Sequence, residues 1–139
     1  MVVYYDEIQI TSSGETDIIN LTNEIQNIVS KSKIKNGILC VYVNGSTGSI
    51  TTIEYEPGLK KDISLTLERI APKNIYYHHH ETWNDDNGHS HVRASLIGPS
   101  MTIPIVNKKL IHGTWQQVVF IEHDTSPRNR KIIVQIVGE

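Results

Sequence analysis

Asn36-Gly37-Ile38-Leu39-Cys40-Val41-Tyr42-Val43 sets a turn dipeptide directly before six apolar residues, four of them β-branched or aromatic. The run is too short for a core helix and reads as a buried central strand. Cys40, the only cysteine in the chain, is then expected to be a buried structural thiol, and no disulfide framework exists.

Working outward, Asn44 to Gly48 reads as a loop and Ser49 to Tyr55 as the next strand. Upstream, Val2 to Thr11 is rich in β-branched and aromatic residues and reads as the first strand, broken by Ser12-Ser13-Gly14. Thr16 stands as an N-cap before Ile18, Leu21, Ile25 and Ile28, whose spacing of three and four predicts a helix of about 15 residues ending near Ser30–Lys33. Downstream, Pro57-Gly58 precedes Leu59, Ile63, Leu67 and Ile70, which predict a second helix stopped by Pro72. Tyr76 to His80 reads as extended and Asn84 to Gly88 as loop. His91 to Leu96 is open between helical turns and a strand. Strands are expected at Met101 to Val106, at Leu110 to His112 with Trp115 to Glu122, and at Lys131 to Val137, the last three forming an antiparallel meander because their connections are short. Two main helices over a mostly antiparallel sheet make an α+β fold, expected as one domain over residues 1–139.

The 13 basic and 15 acidic residues show no long run of either sign, so the chain lacks the electrostatic footprint of a nucleic-acid partner. No stretch approaches the roughly 18 apolar residues of a spanning helix, and the first residues lack the pattern of a secretory leader. A cytoplasmic protein without a membrane partner is expected, which leaves the sequons at Asn20 and Asn44 without glycosylation meaning. Apolar residues make up 38% of the chain, lean enough that contacts between subunits are expected to bury further surface.

Chemistry concentrates in Tyr76-Tyr77-His78-His79-His80-Glu81-Thr82-Trp83-Asn84-Asp85-Asp86-Asn87-Gly88-His89-Ser90-His91, which holds five of the seven histidines. Imidazole and carboxylate are the ligand types that borderline divalent metals favour. In an extended chain His79 points away from His78 and His80, so the triple histidine is not three ligands, and His78 and His80 are expected at the surface. His89 could join His91 on one strand face by its i, i+2 spacing.

Further motifs surround this stretch: Asn44-Gly45-Ser46-Thr47, Ile53-Glu54 with Pro57-Gly58-Leu59 and Asp62, Tyr77-x-His79, Trp83, and Asn87-Gly88-x-Ser90-His91-Val92-Arg93-Ala94. Gly98-Pro99-Ser100, Ile103-Pro104, Gly113-Thr114-Trp115-Gln116 and Arg128-x-Arg130 complete the set. Taken together, from about Val3 to Gly138, the chain resembles the YjbQ family. That resemblance implies a β-sandwich-like α+β core, a homotrimer, and a histidine-containing site near the subunit interface that holds a divalent metal, zinc or magnesium. It also implies the label that the family often carries, a secondary thiamine-phosphate synthase joining a pyrimidine diphosphate to a thiazole phosphate with loss of pyrophosphate. Many relatives have His-Thr-Thr or His-Thr-Ser where this chain has Gly45-Ser46-Thr47.

The resemblance puts His79 and His91 first as catalytic groups or metal ligands and carries over Asn87 as a site residue; His89 is a third candidate ligand by its spacing from His91, at a position where relatives often have an aromatic residue. Glu54, at a strand end, is a candidate ligand or general base. Ser46 and Thr47 offer hydroxyls and exposed N–H groups to a phosphate, and Arg93, Arg128 and Arg130 could clamp a phosphate or carboxylate. Asp85 and Asp86 most simply cap their loop, and Trp83 is placed to stack on a ligand ring. Trp115 is expected to be buried at a strand start, while His112 and His123 are expected in solvent. Two functions fit this inventory: an enzyme acting on small phosphorylated or anionic substrates, and a non-catalytic trimeric module that binds a metal or an anion.

Overall fold

The computed structural model describes residues 1–139. The larger of two sheets runs β1 (Val2–Thr11), β8 (Asn129–Gly138), β3 (Gly37–Val43), β5 (Ser100–Val106) and β6 (Lys109–Leu110), in that spatial order. The smaller runs β2 (Ile18–Asn20), β7 (Gln117–Glu122) and β4 (Gly48–Ile53). Every pairing is antiparallel, with Leu39 of β3 opposite Ile136 of β8 and Ile103 of β5. Four helices complete the α+β fold: α1 (Thr22–Ser32), α2 (Pro57–Ile70), α3 (His79–Trp83) and α4 (Gly88–Ile97).

The main core lies between the sheets and α1. Leu39, Val41 and Val43 meet Ile132, Val134 and Ile136 from β8, Val118 and Phe120 from β7, and Leu21, Ile25 and Val29 from the α1 segment. Strand β7 is buried on both faces. Its Val118 and Phe120 enter the main core, while Val119 and Ile121 join Ile18, with Ile53, Ile63 and Ile97 packed against them from the helical side. That double burial explains why Val118 to Ile121 is an unbroken apolar run instead of an alternating one.

Strand β3 lies in the middle of its sheet as expected, but only one of its faces is covered. Leu39, Val41 and Val43 are buried, whereas Ile38, Cys40 and Tyr42 face outward, so Cys40 is an exposed thiol. The first helix is shorter than the spacing predicted. Ile18 to Asn20 pair with Val119 to Ile121 as β2, and helix begins only at Thr22, because joining the edge of the small sheet satisfies backbone groups that a helix start would leave open. The second helix starts as predicted. Pro57 opens α2, and the Glu56 carboxylate accepts the N–H groups of Gly58 (2.9 Å) and Leu59.

Residues 79–83 are helical, not extended, and His91 to Leu96 resolve as part of α4. The expected meander is absent. Strand β7 belongs to the small sheet while β5 and β8 belong to the large one, so the chain crosses between layers at each of those connections. Trp115 is 73% exposed, in the turn before β7. No helix is long and apolar enough to cross a membrane.

Phe120 is the largest fully buried side chain, and its ring lies so near Gly48 that a Cβ there would come within 2.5 Å of it. Phe120→Ala should lower the unfolding free energy by about 3–5 kcal/mol in urea titrations at fixed protein concentration.

Candidate functional site

Three chain segments meet at one end of the sandwich around a polar cavity of about 490 Å³. Gly45-Ser46-Thr47, between β3 and β4, forms one side. Asp124 and Arg128 follow β7, with Arg130 on β8, and α3 and α4 with the loop between them contribute His79, Asp85 and His91. Trp83 also lines the cavity and is mostly exposed.

The two histidines come together as expected, although on helices. Their ring centroids are 4.3 Å apart and the planes are tilted by 36°. His79 Nδ1 lies 3.2 Å from Asp85 Oδ1, a close contact without hydrogen-bond alignment. Burial, helped by the neighbouring His79, holds the His91 pKa below the usual imidazole value despite the opposing pull of Asp124 and Asp85. His91 is therefore neutral near pH 7.

Asp124 organises the opposite wall. Arg128 Nε donates to its Oδ2 at 2.9 Å and Nη2 lies at 2.7 Å, while Thr47 Oγ1 donates to the same oxygen at 3.1 Å. Burial alone would raise this carboxyl, but donors from Thr125 N–H, Asn87 and Thr47 and the charge of Arg128 outweigh it and hold Asp124 below its usual value. The Asn87 amide sits between two carboxylates: its nitrogen is 3.4 Å from Asp124 Oδ1, and turned over it would donate to Asp85 at 3.0 Å. The shorter contact makes the better hydrogen bond, and in that orientation Asp124 keeps the Thr125 N–H, Thr47 and Arg128 as its donors.

Behind Asp124 lies Glu122, fully buried. Its carboxylate accepts Arg130 Nε at 2.9 Å, Arg130 Nη2 and Ser12 Oγ at 2.5 Å, and it accepts the Asp124 backbone N–H at 3.2 Å. Arg130 Nη2 also donates to Thr47 Oγ1 at 2.8 Å. Arg130 thus reaches the cavity but is held by Glu122, and the more exposed Arg128 is the cation better placed for a ligand. The backbone N–H groups of Gly45, Ser46 and Thr47 make no hydrogen bond to another backbone group.

Other candidates lie elsewhere. His89 is two residues from His91 on a helix, about 200° around the axis, and packs inward with Nε2 2.9 Å from Glu15 Oε2. No three His, Cys, Asp or Glu side chains are grouped to hold one metal ion, so the set His79, His89 and His91 is not assembled. Arg93 is buried away from the cavity: Nε donates to Ala71 O at 3.0 Å and Nη2 to Glu68 Oε2 at 2.7 Å, tying α4 to the end of α2. Glu54 is exposed and outside the cavity. His78 is exposed and contacts Glu81, and His80 points to the other side of α3. Asp85 lines the cavity beside His79, a place in the site beyond loop capping.

Sequence reasoning missed Glu122 and Asp124. Their available signal was an acidic pair two residues apart at the end of an apolar strand, followed by Arg128-x-Arg130. His123 between them is also buried, not solvated, with Nε2 2.8 Å from Ser49 Oγ.

This sandwich with a His/Asp/Arg-lined polar cavity defines the class of protein, and comparison with known proteins defines the family. The model of the family described as UPF0047 protein YjbQ-like matches residues 6–139, and the chain belongs to that family. A UPF0047 protein from Methanothermobacter thermautotrophicus is 38% identical over 139 residues, covering 100% of this chain and 95% of that one. A solved YbjQ-like protein of unknown function from Sulfolobus solfataricus superposes with a TM-score of 0.93 at 34% identity, covering 99% of each chain. A YjbQ/UPF0047 family structure from Clostridium acetobutylicum gives 0.86 at 34% identity over 95% of this chain and 99% of that one.

Burial, followed by the charges of Arg93 and Arg130, lowers the His123 pKa to about 4. The unfolded chain takes up this proton near pH 6.5 and the folded chain only near pH 4, so stability is complete above 6.5 and declines as pH falls through that window. Unfolding free energy should drop by about 3 kcal/mol between those limits on account of this group, and the slope should flatten in His123→Gln, measured by urea titration across the pH range.

Proposed function

We propose that this chain is a cytoplasmic enzyme acting on a small phosphorylated substrate, with the phosphate against the Gly45-Ser46-Thr47 amides and Arg128 and the reacting bond beside His79 and His91. The supporting observation is that three backbone amides without a backbone acceptor and the paired imidazoles share one cavity. Consecutive N–H groups form the kind of concavity that takes a phosphate.

The finer form of the proposal is the transfer that the family label implies, acting on phosphorylated heterocycles. A ring nitrogen of one heterocycle forms a bond to the methylene carbon of the other while the carbon–oxygen bond to diphosphate breaks and pyrophosphate leaves with its electron pair. The attacking nitrogen uses its lone pair and becomes cationic, so the step frees no proton; Arg128 and the amides would bind the departing anion, and neutral His91 would accept a hydrogen bond from the substrate. Within this proposal a divalent ion, zinc or magnesium, would be held by His79 and His91 alone among the protein's imidazoles and would need further ligands from the substrate or water. When bound, it would supply charge stabilisation to the phosphate oxygens.

The second reading, a trimeric binding module, is supported by the lack of a complete nucleophile, base and orienting set: the Thr47 hydroxyl is engaged by Arg130 and Asp124, with no histidine bonded to it. The homotrimer belongs to both readings. Exposed Val3, Tyr5 and Ile38 on the outer face of the large sheet and exposed Trp115 are apolar surface that subunit contacts would cover.

With a hydroxymethylpyrimidine diphosphate and a thiazole phosphate as probes, the parent should yield product, and His79→Ala and His91→Ala should each reduce the rate at least about 100-fold. Arg128→Ala should weaken pyrophosphate binding about tenfold by calorimetry. Zinc measured by emission spectrometry should be stoichiometric in the parent and lost in both histidine variants. Pyrophosphate binding without turnover supports the module, and neither binding nor turnover removes both readings. Sedimentation should give three times the 15.7 kDa chain mass.

A further inference from the structure

Helix α3 and the loop after it form a partition with a cavity on each side. His79 and Asp85 line the first, whereas His80 and Asp86 line a second of about 480 Å³. Left-handed backbone at Asn84 (φ 58°) and Asp86 (φ 55°) helps turn these neighbouring carboxylates to opposite sides. The second cavity lies within the size range of small-molecule sites.

Two tyrosines line it, and one of them, Tyr77, is fixed in place. The Tyr77 hydroxyl donates to Pro72 O at 2.7 Å, and the side chain lies so close over Gly88 that a Cβ there would be 2.4 Å from Tyr77 Cβ. Beside it Ile75 is 56% and Tyr76 62% exposed. Polar groups stand at the rim: Lys73 Nζ is held at 2.7 Å by Glu15, and His80 Nδ1 is 2.8 Å from Asp86 Oδ1. His80 Nδ1 makes no aligned hydrogen bond despite that contact, and the Asp86 side chain is 88% exposed.

A tyrosine beside an exposed carboxylate, an imidazole whose Nδ1 makes no aligned hydrogen bond and an ammonium matches a flat ring bearing both donors and acceptors. We propose that this cavity binds an amino-substituted heteroaromatic ring of the nucleobase class, stacked against Tyr76, its amino group donating to Asp86 and a ring nitrogen or carbonyl facing Lys73 or His80. Stacking supplies affinity for any such ring, and Asp86 supplies the preference for an amino group. The proposal is independent of the reading of the histidine-pair cavity.

Titration of the full chain with cytosine, followed by amide chemical shifts, tests it. Saturable shifts should cluster at residues 73–77, 80 and 86–88. Tyr76→Ala and Asp86→Asn, both surface changes whose folding the same spectra report, should each weaken binding at least fivefold, and His91→Ala should leave it unchanged. Uracil, lacking the amino group, should bind the parent at least fivefold more weakly. Absence of saturable shifts, shifts centred on His79 and His91, indifference to both variants, or equal binding of uracil would each overturn the proposal.

Discussion

The buried Glu122 carboxylate is the constraint on which the cavity end of the molecule depends. A carboxylate taken out of water must be paired and hydrogen-bonded, and its partners come from three places: Arg130 on β8, Ser12 after β1 and the Asp124 backbone. One group therefore ties the small sheet to the large one where the chain passes between them. Removing either member of the Glu122–Arg130 pair would leave the other charge buried alone, a change that costs about 3–5 kcal/mol in comparable sites. The position of Thr47 follows from the same pair, because Arg130 Nη2 donates to its hydroxyl while that hydroxyl donates to Asp124. A structural ion pair thus sets the wall of the cavity.

Local patterns in the sequence were enough to find most elements. Val2–Thr11 as a strand, the strand ending at Val43 and the helix opening at Pro57 all follow from residue type, turn residues and caps close in sequence. What failed required knowing the partner of each strand. Ile18 fits a helical stripe with Leu21, Ile25 and Ile28, yet it is a strand residue because Ile121 is available to pair with it. The short connection after β7 suggested a hairpin, but Val119 and Ile121 need cover from the helices while Ile132 and Val134 need the main core, so β7 and β8 separate into different layers. Cys40 and Trp115 were read as buried from their apolar character. Burial is a property of the packed face, and both lie on faces this chain leaves open.

The site was legible in part for the same reason. The Tyr77-x-His79 and Ser90-His91 motifs identified two imidazoles that do meet, and the Gly45-Ser46-Thr47 loop and Arg128 do line their cavity. The period of the backbone decided His89. On a strand it would have shared a face with His91, whereas on α4 it turns into the interior and binds Glu15. Arg93 and Glu54 have site-like residue types but no access to the cavity. Glu122 and Asp124 carried no motif, and their importance arises from long-range pairing with Ser12, Thr47 and Arg130, which local sequence cannot display.

The electrostatics of the cavity also rank its residues for proton transfer. Asp124 is geometrically central, but its donors and the Arg128 charge stabilise the ionised form and lower its pKa, which makes it a weak base near neutrality. Its Oδ2 is moreover occupied by Thr47 and Arg128 and its Oδ1 by the Thr125 N–H. His91 has the opposite balance: burial and His79 disfavour its cation, so it stands neutral and able to accept a proton at pH 7. Asp124 and Asp85 moderate that effect, so protonated His91 would form next to two carboxylates. The anchored acid thus serves as scaffold and counter-charge, and the less restrained imidazole is the group suited to exchange protons with a ligand.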